Sequence, residues 1–407
     1  MRGRSGTRRA VAAAVAVSLA AVTGCAAEVE PPPPPLARIA GAPPLLDPTA
    51  VYLEQRIAGM SLEQKVAALI MVHVPGTDPA RIRGVIDAHG LAGVILMGDN
   101  VGGPAAQVGQ LTAALSSEAG LPVLTAIDQE GGVVRRLRED EFPAARTIRG
   151  APPAVAEQAF VDRSTLVSSA GVLINFGIVA DVTPDSSSFI RSRTLGETPE
   201  AAAERVAAAV RGEQCRVLST LKHFPGHGAS PDDSHVSIPR SDLDLAQWRA
   251  THAVPFQAGI AAGAPLVMMG HLQFDRISAM PASLSPEWVA ILRDELGFEG
   301  VIVTDDLLML QRSGIDAYRD PYSNAVRALQ AGNDLLLYVL PGDPATVGID
   351  LDALIATLAA AVADGRIAEE QVDASLARVL ALRRAASGQS GPFVDCGPKC
   401  WGASPRG

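Results

Sequence analysis

The feature that most narrows the fold is an eightfold alternation. Short β-rich runs recur at Ala68–Val74, Gly93–Met97, Pro122–Asp128, Val172–Asp181, Val217–His223, Pro265–His271, Gly300–Asp305 and Asn333–Val339. Between them lie Ala/Leu/Arg-rich stretches with helical character, such as Gln107–Glu118, Thr198–Arg211, Asp244–Ala261, Pro286–Leu296 and Tyr322–Ala331. Thr198-Pro199-Glu200 opens one of these with a capping threonine, a proline at the first helical position and an acid in the first turn. Ser285-Pro286-Glu287 repeats the pattern, and Asp320-Pro321 marks a third start. Eight β-then-α units over roughly 300 residues match a (β/α)8 TIM-type barrel, a single α/β catalytic domain, better than an open doubly wound sheet. No G-x-G-x-x-G or P-loop follows any run, so the main argument for a dinucleotide fold is missing. The last helical run, Glu369–Arg384, is expected to close the barrel.

The polar residues collect at the C-terminal ends of these runs. Asp128 ends the third, in Asp128-Gln129-Glu130-Gly131-Gly132, and Asp181 ends the fourth, with Arg191 and Arg193 in the loop beyond. Lys222 and His223 end the fifth, His271 the sixth, and Asp305-Asp306 the seventh. Charges at the ends of apolar strands are costly to bury without partners. In a barrel they are all expected to face one basin at the top, where such folds place chemistry. Any one of them could be half of a structural ion pair, but convergence from five strands is not needed for stability.

The densest stretch is Lys222-His223-Phe224-Pro225-Gly226-His227-Gly228 with Asp233-Ser234-His235 beyond it. It holds three of the chain's seven histidines. Its Gly and Pro make it a loop. Two chemistries suit it. Glycoside hydrolysis needs a nucleophile or base on one side of the anomeric carbon and a proton donor on the other. Asp305 fits the first role. His235 fits the second, oriented and kept protonated by Asp233 two residues away. Arg136, Arg193, Lys222 and His223 would then hold sugar hydroxyls or an acyl group. The rival is a metal site made from His223, His227, His235, Asp233 and Asp128. Against it, Pro225 and Gly226 separate His223 from His227, so the pair cannot use one helical face. His227 reads as a loop-ordering residue, and His73, His89 and His252 as structural or surface residues. Met268 and Met269 read as core.

Composition removes other classes. The formal net charge of −10 argues against nucleic-acid binding by electrostatics. Aromatic residues at 4% disfavour a broad stacking platform for long polysaccharides. Residues 1–24 read as an export signal: Arg2, Arg4, Arg8 and Arg9 precede an apolar stretch, Ala10 to Ala21, too short to span a bilayer stably. Val22-Thr23-Gly24-Cys25 resembles a bacterial lipobox, in which Cys25 becomes the lipidated first residue. Residues 25–48, with the run Pro31–Pro35, read as a stiff tether. The barrel is placed at 49–386 and a loose tail at 387–407. Cys396 and Cys400 could pair across three residues in an oxidising compartment, and Cys215 reads as a buried hydrophobe.

The loop Lys222–Gly228 with Asp233-Ser234-His235, the motif Asp128–Gly132 with Arg135-Arg136, and Thr304-Asp305-Asp306-Leu307 with Met309 together resemble glycoside hydrolase family 3, in its single-domain β-N-acetylglucosaminidase branch. Thr304 stands where that pattern carries serine. The resemblance runs from about Leu53 to Leu382. It implies retaining hydrolysis, with Asp305 as nucleophile and His235 as acid/base oriented by Asp233. Asp128, Arg136, Arg193, Lys222 and His223 would line the sugar subsite, with Arg191 as the alternative to Arg193. Family members with a second sandwich domain take a carboxylate acid/base from elsewhere, and the histidine-on-loop arrangement suits a chain of this length. No metal or organic cofactor is implied. The implied substrate is a peptidoglycan fragment with N-acetylglucosamine linked to N-acetylmuramic acid, met by an exported lipoprotein in the cell envelope. A phosphorylase on the same site and a non-catalytic glycan-binding lipoprotein are the alternatives.

Overall fold

The computed structural model describes residues 48–387 apart from 117 and 119. The expectations for the export signal, Cys25, the proline tether up to residue 47 and the Cys396/Cys400 pair lie outside the described residues. The first helix, Pro48–Ala58, begins one residue before the expected start of the barrel domain.

Eight strands form the centre. They are β1 (Ile70–Val72), β2 (Gly93–Leu96), β3 (Leu124–Ile127), β4 (Ile174–Val179), β5 (Leu218–Phe224), β6 (Leu266–Met269), β7 (Val301–Thr304) and β8 (Leu336–Tyr338). Each pairs in parallel with the next from β1 to β7, and β1 also pairs with β8. The ring closes between β7 and β8 through a parallel bridge, Val303 to Leu335, with Leu335 N donating to Ile302 O and Thr304 N to Leu335 O, both at 3.0 Å. The fold is a (β/α)8 barrel, and seven of the eight expected runs contain one of its strands, while β5 runs one residue past the expected His223 to Phe224. Every residue of these eight strands except Leu218 is buried, as helices on the outside and side chains on the inside require.

The helix starts obey the capping chemistry seen in the sequence. Thr198 accepts from Ala201 N at 3.2 Å, Ser285 from Trp288 N at 3.2 Å, and Asp320 from Tyr322 N and Ser323 N. Three expectations are corrected. The single helix expected over Asp244–Ala261 is two, Leu245–Ala250 and Ala253–Ala261. Pro255 has no N–H for the carbonyl of Thr251, and its ring would crowd that carbonyl, so the first helix ends and Pro255 falls in the first turn of the second. The stretch Pro286–Leu296 changes from α-helix to π-helix after Ala290. Cys215 is exposed, not buried: it occupies a left-handed turn (φ 66°) that brings the chain from the helix Pro199–Glu213 back towards β5.

An aromatic cluster fixes the start of the histidine-rich loop. Phe224 meets Phe256, Trp288 and Trp248 edge-on, at centroid distances of 5.2, 5.8 and 5.9 Å. Trp248 Nε1 donates to Pro225 O at 2.8 Å. Buried edge-to-face pairs of this kind each contribute about 1 kcal/mol beyond area burial. The Phe-Pro pair of the motif is thus an anchor, and its neighbours Lys222 and His223 face the other way.

Candidate active site

The loop after β3 is shaped by Gln129, which is fully buried. Its Oε1 accepts from the backbone of Arg136 and Leu137, both at 2.9 Å, and its Nε2 donates to Asp140 at 2.9 Å and Leu137 O at 3.1 Å. Asp140 is paired with Arg163 at 2.7 Å, both side chains fully enclosed. Gly131 is required here: its φ is +84°, and a Cβ would lie 2.2 Å from an Arg163 nitrogen. Asn175 on β4 brackets the Gln129 backbone, accepting from its N–H at 3.1 Å and donating to its carbonyl at 3.0 Å. The result aims Asp128 and Glu130 over the barrel mouth.

Behind Asn175 stands Glu213, which accepts from its Nδ2 at 2.6 Å. Burial pushes the Glu213 carboxyl up to about 8 against the Asn175 bond and the Arg163 charge. The folded protein therefore holds a proton that the unfolded chain releases. Stability is expected to fall as pH rises from the ordinary glutamate range to about 8, then level off. Glu213→Gln keeps the acceptor for Asn175 and removes this dependence. In urea unfolding it should stabilise by a few kcal/mol at pH 9 and by little at pH 4. Equal effects at the two pH values would contradict a neutral buried carboxyl.

The network over the mouth is charge-paired. Lys222 Nζ reaches Asp128 at 2.8 Å and Glu130 at 2.7 Å. Arg193 grips Glu130 with two bonds of 2.6 and 2.8 Å, and Arg136 reaches Asp128 at 3.2 Å. Burial alone would raise the Glu130 carboxyl, but the Arg193 and Lys222 charges hold it well below the usual range. Burial would lower Lys222, and Asp128 and Glu130 more than compensate. These side chains hold each other in place before any ligand arrives.

His223 is oriented from below. Its Nδ1 donates to Asp181 Oδ2 at 2.8 Å, which leaves Nε2 to accept from Arg193 at 3.3 Å. Asp181 also accepts from the His227 backbone N–H at 2.6 Å. His227 Nε2 meets Ser234 Oγ at 2.9 Å, between Asp233 and His235. Burial drops His227 to about 4, so it is neutral. Gly226 (φ +128°) makes the turn that allows this fold-back, and a Cβ there would lie 2.8 Å from His252.

His235 lies on the exposed crest of this loop, with Nδ1 2.6 Å from Asp233 Oδ1 and its ring edge-on to Phe189 at 5.5 Å. Burial raises Asp233, but its bonds from His235 hold its carboxyl below the ordinary value. A carboxylate on Nδ1–H leaves Nε2 as the atom that exchanges a proton. At β7, burial would raise Asp305, yet His223, His271 and the Asp306 N–H outweigh it, and the carboxyl sits below the ordinary value. Asp305 Oδ1 accepts from Asp306 N at 2.8 Å. Thr304, where the resembled pattern carries serine, uses its hydroxyl to accept from Leu337 N at 3.0 Å, fastening β7 to β8.

These groups line one cavity of about 430 Å³, within the range of a small-ligand site. Asp128, Glu130, Arg136, Arg193, Lys222, His223, His235 and Asp305 all contribute to its wall. Asp233 stands behind His235. Two strand-end residues do not face the basin as expected. Asp181 is fully buried under His223, and His271 is enclosed between Ser283 Oγ (2.7 Å) and Asp306 O (2.9 Å). Both are held by partners that a strand-end position alone does not reveal. Arg191 bonds Thr183 O and Glu197 instead, so Arg193 is the arginine of the site. Glu130 lies inside the motif Asp128–Gly132, but its part in the site comes only from its contacts with Arg193 and Lys222, which the motif does not contain. Phe189 and Arg312 carried no sequence signal.

A barrel whose strand ends converge on paired carboxylates, cations and an Asp–His pair has the class of a glycoside hydrolase. Residues 61–382 match the model of the glycosyl hydrolase family 3 N terminal domain. A beta-hexosaminidase of Pseudomonas aeruginosa is 36% identical over 292 residues, 70% of this chain and 86% of that one. One from Stenotrophomonas maltophilia is 38% identical over 253 residues, 59% of this chain and 75% of that one. The solved glycoside hydrolase family 3 beta-N-acetylglucosaminidase of Paenibacillus sp. str. FPU-7 superposes with a TM-score of 0.74 at 31% identity, over 84% of this chain and 67% of that one. The chain belongs to glycoside hydrolase family 3.

Proposed function

We propose that the protein is a retaining exo-β-N-acetylglucosaminidase that removes terminal β-linked N-acetylglucosamine from peptidoglycan fragments. The observation that carries this reading is the placement of Asp305 and of His235, held by Asp233, on one cavity with the charge-paired wall. Relatives named beta-hexosaminidase support the choice of sugar. Asp305 attacks the anomeric carbon while His235 Nε2 gives its proton to the leaving oxygen, so the glycosidic bond breaks as the C1–Oδ bond forms. Water then attacks C1, gives its proton to His235, and releases Asp305. Asp128, Arg136, Arg193, Lys222 and His223 hold the sugar.

The test is turnover of 4-nitrophenyl β-N-acetylglucosaminide beside the β-glucoside, with and without phosphate. Preference for the N-acetyl sugar with free N-acetylglucosamine as product supports the reading. N-acetylglucosamine 1-phosphate as the main product would make the enzyme a phosphorylase, and no turnover of any N-acetylglucosaminide would leave a glycan-binding protein. Export and lipidation at Cys25, placing the barrel at the membrane facing the cell wall or periplasmic space, belong to the same proposal. Metabolic labelling with palmitate should be lost in Cys25→Ser; undiminished labelling would remove the anchor.

A further inference from the structure

We propose that Arg312 forms an aglycone subsite that binds a carboxylate carried by the leaving group, giving the enzyme a preference for acidic aglycones. This rests on the hydrolase reading above and extends it to the other side of the scissile bond. Four cations line the cavity, and they differ in how far they are committed. The side chains of Lys222, Arg193 and Arg136 are exposed to 3%, 11% and 25%, and all three are closed onto Asp128 and Glu130. Arg312 is exposed to 48% and makes a single contact, Nη1 to Asp306 Oδ2 at 3.2 Å. Among the described residues its other N–H groups meet no acceptor.

Asp306 does not account for it. The other oxygen of that carboxylate already accepts from Leu308 N at 3.1 Å, within its own turn, and from Val339 N at 2.9 Å, which fastens the end of β7 to the segment after β8. A guanidinium often engages a carboxylate with two parallel bonds, as Arg193 does with Glu130. Arg136 and Arg312 each make one, at 3.2 Å, and what separates them is exposure, 25% for Arg136 against 48% for Arg312. Arg312 spends one prong and keeps a free edge at the rim.

Its position is the one a leaving group would reach. The sugar-holding residues come from the loops after β3 and β4 and from the C-terminal end of β5. Arg312 ends the helix Leu308–Arg312 that leaves β7 directly after Asp305, and shares its wall with Met309 and Val339. In a pyranose C1 lies across the ring from C4. A sugar whose outer hydroxyls face the charge-paired wall and whose C1 meets Asp305 therefore directs its leaving oxygen away from that wall. In a glycan of N-acetylglucosamine and N-acetylmuramic acid, the next residue carries a lactyl carboxylate.

The test compares the disaccharide N-acetylglucosaminyl-β-1,4-N-acetylmuramic acid with its lactyl methyl ester, reading the acid-to-ester ratio of kcat/KM within each variant. Any general effect of a substitution on turnover then cancels. The full-length enzyme should favour the acid about tenfold, the scale of one charge-assisted bond at a partly exposed site. Arg312→Gln should bring the ratio to about one, and Arg312→Glu should invert it. A ratio near one in the unsubstituted enzyme, or an unchanged ratio in both variants, overturns the proposal. So does a loss confined to phosphate-dependent product formation, which would mean that Arg312 serves inorganic phosphate. If Arg312 fails while aryl N-acetylglucosaminides are still hydrolysed, only this subsite falls. If none is hydrolysed, the hydrolase reading falls first.

Discussion

Asp305→Ala is expected to lower turnover of an aryl β-N-acetylglucosaminide by on the order of 10⁴-fold or more, the scale of removing a covalent nucleophile. The loss should appear without unfolding. Asp305 is at the cavity wall, its backbone N–H stays bonded to Met269 O, and among the described residues its side chain accepts only from the neighbouring Asp306 N–H. Added azide should enter the vacated space and restore part of the turnover of substrates with good leaving groups, giving the α-glycosyl azide. That product reports attack from the face Asp305 occupied. Substantial activity in Asp305→Ala would remove it as nucleophile, and a β-azide would contradict the retaining mechanism.

His235→Ala separates the second catalytic role from the first. Protonation of the leaving oxygen matters in proportion to its basicity, so kcat/KM should fall about 10²- to 10⁴-fold for a sugar leaving group and within a few-fold for 2,4-dinitrophenolate. A uniform loss across leaving groups would mean that His235 only supports the loop. Asp233→Asn should show the same slope with a smaller amplitude, because the amide weakens the hold on Nδ1 without removing the imidazole. His227, buried and bonded to Ser234, links the loop to Asp181, so the segment carrying His235 is tethered to the residue that orients His223.

Much of this was legible from residue order. Eight apolar runs separated by capped helices leave few parallel arrangements, and the barrel follows because each run must be covered on both faces. The motifs around Asp128, Lys222, Asp233 and Asp305 were readable because their chemistry lies in contiguous stretches, and the Asp233–His235 bond spans only two residues. Pro255 was also in plain view, and its missing N–H already divides the helix expected over Asp244–Ala261.

Other features arise only when distant segments meet. Burial of Asp181 under His223, 42 residues away, depends on the pairing of β4 with β5. The choice of Arg193 over Arg191 depends on which of two neighbouring arginines the short helical turn Phe189–Ser192 turns towards Glu130. Glu213 is raised because the helix Pro199–Glu213 delivers it beneath Asn175, and a carboxyl in a dry interior retains its proton. Arg312 stands apart from the other cavity cations because the third-strand loop supplies two carboxylates to three of them and none to the fourth. Composition and motif spacing determined the fold class and the chemical vocabulary of this protein. The pairing of those groups, and which of them stays open to a ligand, was decided by the tertiary structure, because charge pairing and desolvation depend on distance in space and not on distance along the chain.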